Sequence, residues 1–419
     1  MKWHGWIETL PGCVVRRPKT IAQHGQTFIV SFESTIREET PTSLLPFPKW
    51  PPGGANVNRM LDNRKLILDT HSEIYSLVKS EADGIFWNLQ QHIDKNQTVP
   101  GAVYVIGREQ IRLYGRQFRS LIETADIKAV FSNPHEGSET MMNHCYSYGI
   151  ADLVLANKIL LVGGGDMDPA WPCLQYESFL PKILNYDQNL RAQQQYQDQY
   201  SADRPYKFLF LNGRARPHRK YLIERLADLL DSAIWTNLDT GNGAIKLLDP
   251  QYEHADFDVG IDTTGLAFVK HRLFPPNVWG DVIMEARPYL DTYFSLVTET
   301  VHAYPYSFRT EKIWKPVAIG HPWIVAANQG FYRDMHRMGF QSFGHVIDES
   351  FDSIENNQDR LERVAEIVED LCQQDLASFL KECYNVCKYN QQHLAELRPQ
   401  VQKQFPDRFR QFINERFKL

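Results

Sequence analysis

"FRTEKIWKPVAIGHPWIVAA", residues 308–327, is the stretch on which the fold turns. It runs into "PWIVAAN" (322–328), which reads as a strand. Ahead of that strand lies a short helix ending at Gly320, with Thr310 suited to cap it and Glu311 and Lys312 as its first residues. A Glu in the first turn suits the helix dipole, whereas Lys312 at the positive end is unfavourable unless an anion offsets it. Pro316 should free the carbonyl of Lys312 from the ladder, at ~3 kcal/mol in an ordinary helix. Local rules broken together point to a site, with Arg309, Glu311 and Lys312 at its head.

Working outward, the same alternation recurs. "YFSLVTET" (293–300) and "KFLFLNG" (207–213) read as further strands. Between them "HRKYLIERLADLLD" (218–231) carries Tyr221, Leu222, Leu226, Leu229 and Leu230 on a helical stripe. In the first half "KLILDT" (65–70), "AVYVIG" (102–107), "KAVFSN" (128–133) and "KILLVGGG" (158–165) are branched, apolar and short. Helical segments such as "SEIYSLVKSEADGIFWNLQQHI" and "YGIADLVLAN" separate them. Strands alternating with helices imply parallel, doubly wound α/β layers. The Pro- and Gly-rich "SLLPFPKWPPGG" (43–54) is a loop. The polar, Gln-rich residues 187–204 suggest a joint, the first part of which could form an exposed helix. The expected division is a first Rossmann-like domain over 1–190, a linker over 191–205, a second Rossmann-like domain over 206–375 and C-terminal helices over 376–419. From Asp359 onward Leu361, Val364, Ile367, Val368 and Leu371 share one helical face.

The chain has 419 residues, 43% hydrophobic and 23% charged, which suits two globular domains of ordinary size. A net charge of −6 argues against a protein that grips nucleic acid by broad phosphate neutralisation. It leaves room for a local basic pocket. The cysteines (Cys13, Cys145, Cys173, Cys372, Cys383 and Cys387) include no CxxC pair and read as buried, reduced thiols rather than metal ligands. The first residues lack the apolar core of a signal peptide, and no run of ~18 apolar residues occurs. A cytosolic protein is expected, with at most peripheral membrane contact.

The chemistry gathers in two segments of the second half. In "FLFLNGRARPHRKYLIERL" a strand runs into a loop and helix start bearing Arg214, Arg216, His218, Arg219 and Lys220. Helix N-termini offer unpaired N–H groups and partial positive charge, and arginines add planar bidentate donors, so a diphosphate would fit. Pro217 sits where a missing N–H costs little. A solvated basic turn is the competing reading of this segment alone. The 308–327 segment adds a carboxylate next to a strand, the usual grip on ribose hydroxyls.

"SLVTET", "FRTEKIWKPVAIGHPWIV" and the later "VIDESFD" together resemble the nucleotide-sugar half of glycosyltransferases with the two-Rossmann GT-B fold. The nearest likeness is to the fucosyltransferase-like enzymes of glycosyltransferase family 10, with their Ser/Thr-Glu-Lys motif, and to related bacterial and phage glycosyltransferases. The resemblance covers roughly residues 206–370 and is most specific around "TEK" and "RPHR". It implies two Rossmann-like domains facing a cleft, followed by a helical tail. It also implies a nucleotide-sugar donor as substrate, no separate cofactor, and a carbohydrate or other hydroxyl acceptor. GDP-fucose is the first donor suggested. By the same resemblance Glu311 would take the ribose hydroxyls, while Lys312 with Arg216 or Arg219 would hold the diphosphate; Arg214 and Arg309 belong to the same group.

Such a site could neutralise a departing diphosphate with cationic side chains and a helix end, without a metal. The acceptor hydroxyl would need a base from the other domain. The loop "FSNPHEGSETMMNHC" offers His135, Glu136 and Glu139, and Glu136 is the choice, with Asp69 of "ILDTHSE" as the alternative. Asp166 and Asp168 form a DxD in "GGGDMDPAWP", a pattern that elsewhere holds a divalent cation. Here it lies in the half away from the expected donor site, and the glycines read better as a turn at a strand end. Two further functions stay open: a non-catalytic nucleotide-sugar or glycan binder keeping the fold, and a glycoside hydrolase, which would give the Arg/Lys cluster no role.

Overall fold

A computed structural model describes residues 13–16, 19–24, 27–31, 103–107, 119–120, 122–123, 128–133, 136–184, 187–212, 216–237, 259–261, 267–269 and 284–417. Among them the chain forms two compact units. Described residues up to Ser178 and from Gln400 onward belong to the first, and Phe179–Pro399 belong to the second.

The first unit holds a seven-stranded sheet in the order β1-β2-β3-β4-β5-β6-β7. β1 (Cys13–Arg16), β2 (Lys19–His24) and β3 (Thr27–Ser31) pair antiparallel. β3 then starts a parallel run through β4 (Val103–Gly107), β5 (Lys128–Asn133), β6 (Ile159–Gly163) and β7 (Cys173–Gln175). Every residue of β6 is buried, the pattern expected of a parallel strand covered on both faces. Helices α1 (Ser138–Ser147) and α2 (Ala151–Leu155) connect β5 to β6. The parallel strands follow one another in chain order, so this sheet shows no reversal of strand order.

In the second unit the four-stranded sheet runs β13-β12-β8-β9 and is parallel throughout. Its strands are β8 (Tyr206–Asn212), β9 (Ala233–Asn237), β12 (Thr292–Thr298) and β13 (Trp323–Ala326). A separate antiparallel pair, β10 (Val259–Ile261) and β11 (Ala267–Val269), lies between them in the chain. From β8 the chain proceeds to β9 on one side, then returns to place β12 on the other. With right-handed crossovers this reversal sends the connections leaving β8 and β12 to opposite faces and opens a crevice beyond their C-terminal ends.

Helices α3 (Phe179–Ile183), α4 (Asp187–Asp198), α5 (Pro217–Arg225), α6 (Arg287–Leu290), α7 (Glu311–Ile319), α8 (Phe331–Arg337) and α9 (Asn357–Cys372) complete this unit. Its core includes Phe208 stacked on Phe294 at 5.6 Å, and the buried Trp314 and Trp323. The polar run suggested as a joint is in large part α4. Asn189, Ala192 and Tyr196 form its buried stripe, with Tyr200 following. Gln193 Nε2 donates to Ala318 O at 2.8 Å, and Asn189 Nδ2 to Ile183 O at 2.5 Å.

The last helix, α10 (Leu376–Phe417), contributes residues to both units. In the first, Phe405, Phe409, Ile413 and Phe417 join Val130, Leu160, Val162 and Leu174 in one apolar cluster. The expected separate tail of 376–419 is thus divided, its final residues completing a core begun far upstream. No helix among the described residues is long and apolar enough to cross a membrane.

Candidate functional site

The strand-order reversal of the second unit lies between β8 and β12, and two loops meet there. β8 ends at Asn212, buried to 1% exposure, whose Oδ1 accepts from Thr298 Oγ1 at 2.7 Å. Asn212 N donates to Thr236 Oγ1 on β9 at 3.0 Å, so the ends of three strands are tied together.

Four residues separate helix α5 from β8, the last of them Arg216, the N-cap, in extended conformation, with Pro217 opening the helix. No side chain caps this end. Instead the first turn is latched to the end of β12. The Arg219 guanidinium donates to Thr298 O at 3.0 Å, and the His218 ring nitrogen Nε2 lies 2.9 Å from Glu299 O. Because that partner is a carbonyl, Nε2 carries the proton. Burial, and then the charge of Arg219, lower the His218 pKa to about 4. Its ring stacks on His302 at 5.0 Å.

Glu299 joins this latch to α7. Its carboxylate is completely buried and accepts from Thr310 N at 2.9 Å, Thr310 Oγ1 at 2.8 Å and Thr300 N at 3.1 Å. Burial raises its pKa, with the charge of Lys312 opposing. Thr310 caps α7 as the sequence suggests, its hydroxyl accepting from Lys312 N at 3.3 Å. Gly320 ends that helix with φ 84°, and Pro316 O accepts from Gly320 N and His321 N.

At the head of α7 the Lys312 ammonium contacts the Glu311 carboxylate, and also Thr310 Oγ1 at 3.3 Å. The side chains of Lys312 and Glu311 are 23% and 14% exposed, so most of the pair is buried. Burial pushes the Glu311 pKa up, but the charge and hydrogen bond of Lys312, with Lys315 behind, leave it below the ordinary value. Arg309 and Arg219 are 2% and 3% exposed, whereas Arg216 is half-buried. Burial, then repulsion from Arg216, lowers the Arg219 pKa to about 10, which still leaves it cationic at neutral pH.

The structure therefore brings Arg216, Arg219, Glu311 and Lys312 into one electrostatic cluster, with Arg309 adjoining the Thr310 cap. Arg214, Asp69 and His135 lie outside the described residues. Sequence reasoning missed Glu299, His218 as a latch, and Asn212. A charged residue directly at the end of an apolar strand, the Glu of "TET", was the available signal.

Glu136 belongs to the first unit and is half-buried on the loop after β5. Its carbonyl accepts from Gly164 N at 3.0 Å, which makes the glycine-rich loop after β6 its neighbour. In that loop the Asp168 carboxylate accepts from Ala170 N at 2.8 Å and its carbonyl from Trp171 N at 2.9 Å. Asp168 thus closes a turn on itself. Among the described residues no group of three or more His, Cys, Asp or Glu is placed to hold a metal ion.

What the second-unit cluster can do chemically follows from its charges. Among the described residues, Arg216, Arg219, Lys312 and Lys315 interact electrostatically with one another or with Glu299 and Glu311 at the heads of α5 and α7. One carboxylate is committed to the Thr310 cap. Cations beside helix N-termini suit an oxyanion as ligand. Comparison of the chain with protein-family models, with curated proteins and with solved structures finds no match.

Proposed function

We propose that the chain is a glycosyltransferase of GT-B-like architecture that moves a sugar from a nucleotide-diphosphate sugar to a hydroxyl acceptor. The observation that carries this reading is the cationic cluster at the strand-order reversal of the second unit, where two helix N-termini and their arginines meet a carboxylate–lysine pair. Arg216 and Lys312 are the half-buried cations, and they take the diphosphate. Arg219 and Arg309, more deeply buried, act through their field and by holding the loops. Glu311 offers a carboxylate to paired ribose hydroxyls.

The diphosphate gains charge as the sugar–oxygen bond breaks, and fixed cations stabilise that charge without reorganising. The mechanism is inverting and metal-independent, and Glu136 of the first unit accepts the proton of the attacking hydroxyl. GDP-fucose is the first donor to test.

Calorimetric titration with GDP, using the wild type, Lys312→Met and Arg216→Leu, tests the reading. Each substitution should weaken binding by about 1.5–3 kcal/mol, the scale of a charged hydrogen bond. The variants should stay folded, because neither side chain is fully buried. Unchanged affinity in both would remove the diphosphate assignment, and release of GDP from GDP-fucose only when Mg²⁺ or Mn²⁺ is added would remove the metal-independent mechanism.

A further inference from the structure

The connection from β12 to α7, residues 299–310, closes on itself. The Glu299 carboxylate at its start accepts from Thr310 N and Oγ1 at its end, at 2.9 and 2.8 Å. Two further anchors lie between. His302 stacks on His218 of α5 at 5.0 Å, and its carbonyl accepts from Arg360 Nη2 at 2.8 Å. Ser307 is fully buried; its Oγ donates to Asp334 Oδ2 at 2.7 Å and accepts from Asn328 Nδ2 at 3.0 Å. Ends that meet and sides that are pinned make a compact, ordered loop.

Between the two anchors stands "AYPY", residues 303–306. Ala303 and Pro305 are exposed, and Tyr304 and Tyr306 are half-buried. The two tyrosine rings lie 5.3 Å apart, centroid to centroid, with 50° between their planes. Pro305 fixes a backbone torsion between them, so this pair has little freedom left to lose when a ligand binds. Aromatic rings meant only for a core would be enclosed; these two keep part of their surface open.

We infer that Tyr304 and Tyr306 form an aromatic platform on which the base of a nucleotide stacks. Position selects that occupant. The loop ends at Thr310, directly before Glu311 and Lys312, and through His302 it also touches the first turn of α5. It therefore joins both helix heads of the cationic cluster. At ~3.6 Å of chain per residue, the Cα of Tyr304 lies within about 7 Å of that of His302, and the Cα of Tyr306 within about 14 Å of that of Thr310. A nucleoside diphosphate carries its base at one end and its phosphates at the other, with the ribose between. Every base has a flat face to set against a tyrosine ring, whatever its edge carries. As part of a nucleotide site the inference rests on the diphosphate reading of the cluster.

Calorimetric titration of the full chain with inorganic diphosphate and with GDP, ADP, UDP and CDP supplies the test. At least one nucleotide should bind more tightly than inorganic diphosphate. Tyr304→Ala combined with Tyr306→Ala should weaken that nucleotide about 5- to 100-fold, the scale of a base stacked on an aromatic side chain. The same variant should bind inorganic diphosphate as the wild type does, which also shows that the cluster is still assembled. Tyr304→Phe combined with Tyr306→Phe keeps both rings and should keep the nucleotide affinity.

Nucleotides that bind no better than inorganic diphosphate, or an alanine variant with unchanged nucleotide affinity, would overturn the inference. An equal loss in the phenylalanine variant would do the same, by giving the role to the hydroxyls. So would an equal loss of inorganic diphosphate in the alanine variant, which would make the tyrosines mere supports of the loop. Lys312→Met and Arg216→Leu separate the two readings. Nucleotide binding that falls in the tyrosine variant but in neither of these would sink the diphosphate assignment alone, and the converse would sink the platform alone. No binding of any nucleotide or of inorganic diphosphate would sink both.

Discussion

Three donors converge on the Glu299 carboxylate, and they hold the head of α7 against the end of β12. Glu299→Ala would strand the buried Thr310 N–H and hydroxyl, so we expect a loss of about 1.5–3 kcal/mol in urea denaturation, the range for hydrogen bonds to charged groups. Glu299→Gln keeps one accepting oxygen and should lose less; equal stability in all three chains would show that the carboxylate does not hold the cap. His321 gives a residue-scale test in pH. Its Nε2 donates to Thr292 O at 2.7 Å and its Nδ1 accepts from Ser295 Oγ at 2.9 Å, a pattern only the neutral ring can make. Burial, then the charge of Arg204, lowers its pKa from 6.5 to about 3. A folded-state pKa below the unfolded one means the unfolded chain binds the extra proton as pH falls. The stability from His321 is therefore complete above the unfolded pKa and is lost as acid is added. His321→Gln should flatten the dependence of stability on pH by about 1.4 kcal/mol per unit, from roughly pH 6 to 4. Parallel curves for the two proteins would exclude this coupling.

Secondary structure was most legible where local chemistry alone decides the outcome. Thr310 caps α7 and Gly320 ends it because a short hydroxyl side chain and a residue tolerating positive φ are the local solutions for those ends. The same reasoning predicts the effect of Gly320→Ala. A Cβ there would sit 2.6 Å from the side chain of Gln391, at a φ of +84° that disfavours any L-residue, so a loss of about 1–3 kcal/mol is expected. A urea transition at the wild-type midpoint would show that the C-terminus of α7 yields instead. Where an element depends on tertiary partners, the sequence was a poorer guide. In α4 the buried stripe is Asn189, Ala192 and Tyr196, so a polar helix face has no hydropathy contrast to announce it. Its burial becomes favourable through specific partners, such as Met284 N donating to Asn189 Oδ1 at 2.8 Å. The site divides in the same way. Its arginines on α5 could be read because they follow a strand end, and Lys312 because it stands at the head of a helix, but the depth of each could not. Arg219 and Arg309 are nearly enclosed while Arg216 and Lys312 remain half-buried, and only the packing of α5 and α7 decides which.

At the scale of the whole molecule, alternation of strand and helix announced two α/β layers, but not the order of strands within them. Strand order is a long-range property, and the hydropathy of β5 or β8 is the same whichever neighbour it pairs with. The C-terminal residues show the same gap. Periodic apolar residues made a terminal helix legible, yet nothing in the period says which core receives them. Phe405, Phe409, Ile413 and Phe417 close over Val130, Leu160, Val162 and Leu174 of the first unit. Phe409 is fully buried there, and its ring stacks on Phe405 at 6.2 Å. Phe409→Ala should therefore cost about 3–5 kcal/mol, the range for deleting a buried aromatic ring from a packed core. The loss should fall on the first unit, because every residue in this apolar cluster belongs to it. Hydrogen exchange is the informative measurement, since it resolves local stability along the chain. Amides of β5 and β6 should lose protection in Phe409→Ala, while those of β8 and β12 keep theirs. Unchanged protection throughout would make the last turns of α10 an appendage rather than part of the first core.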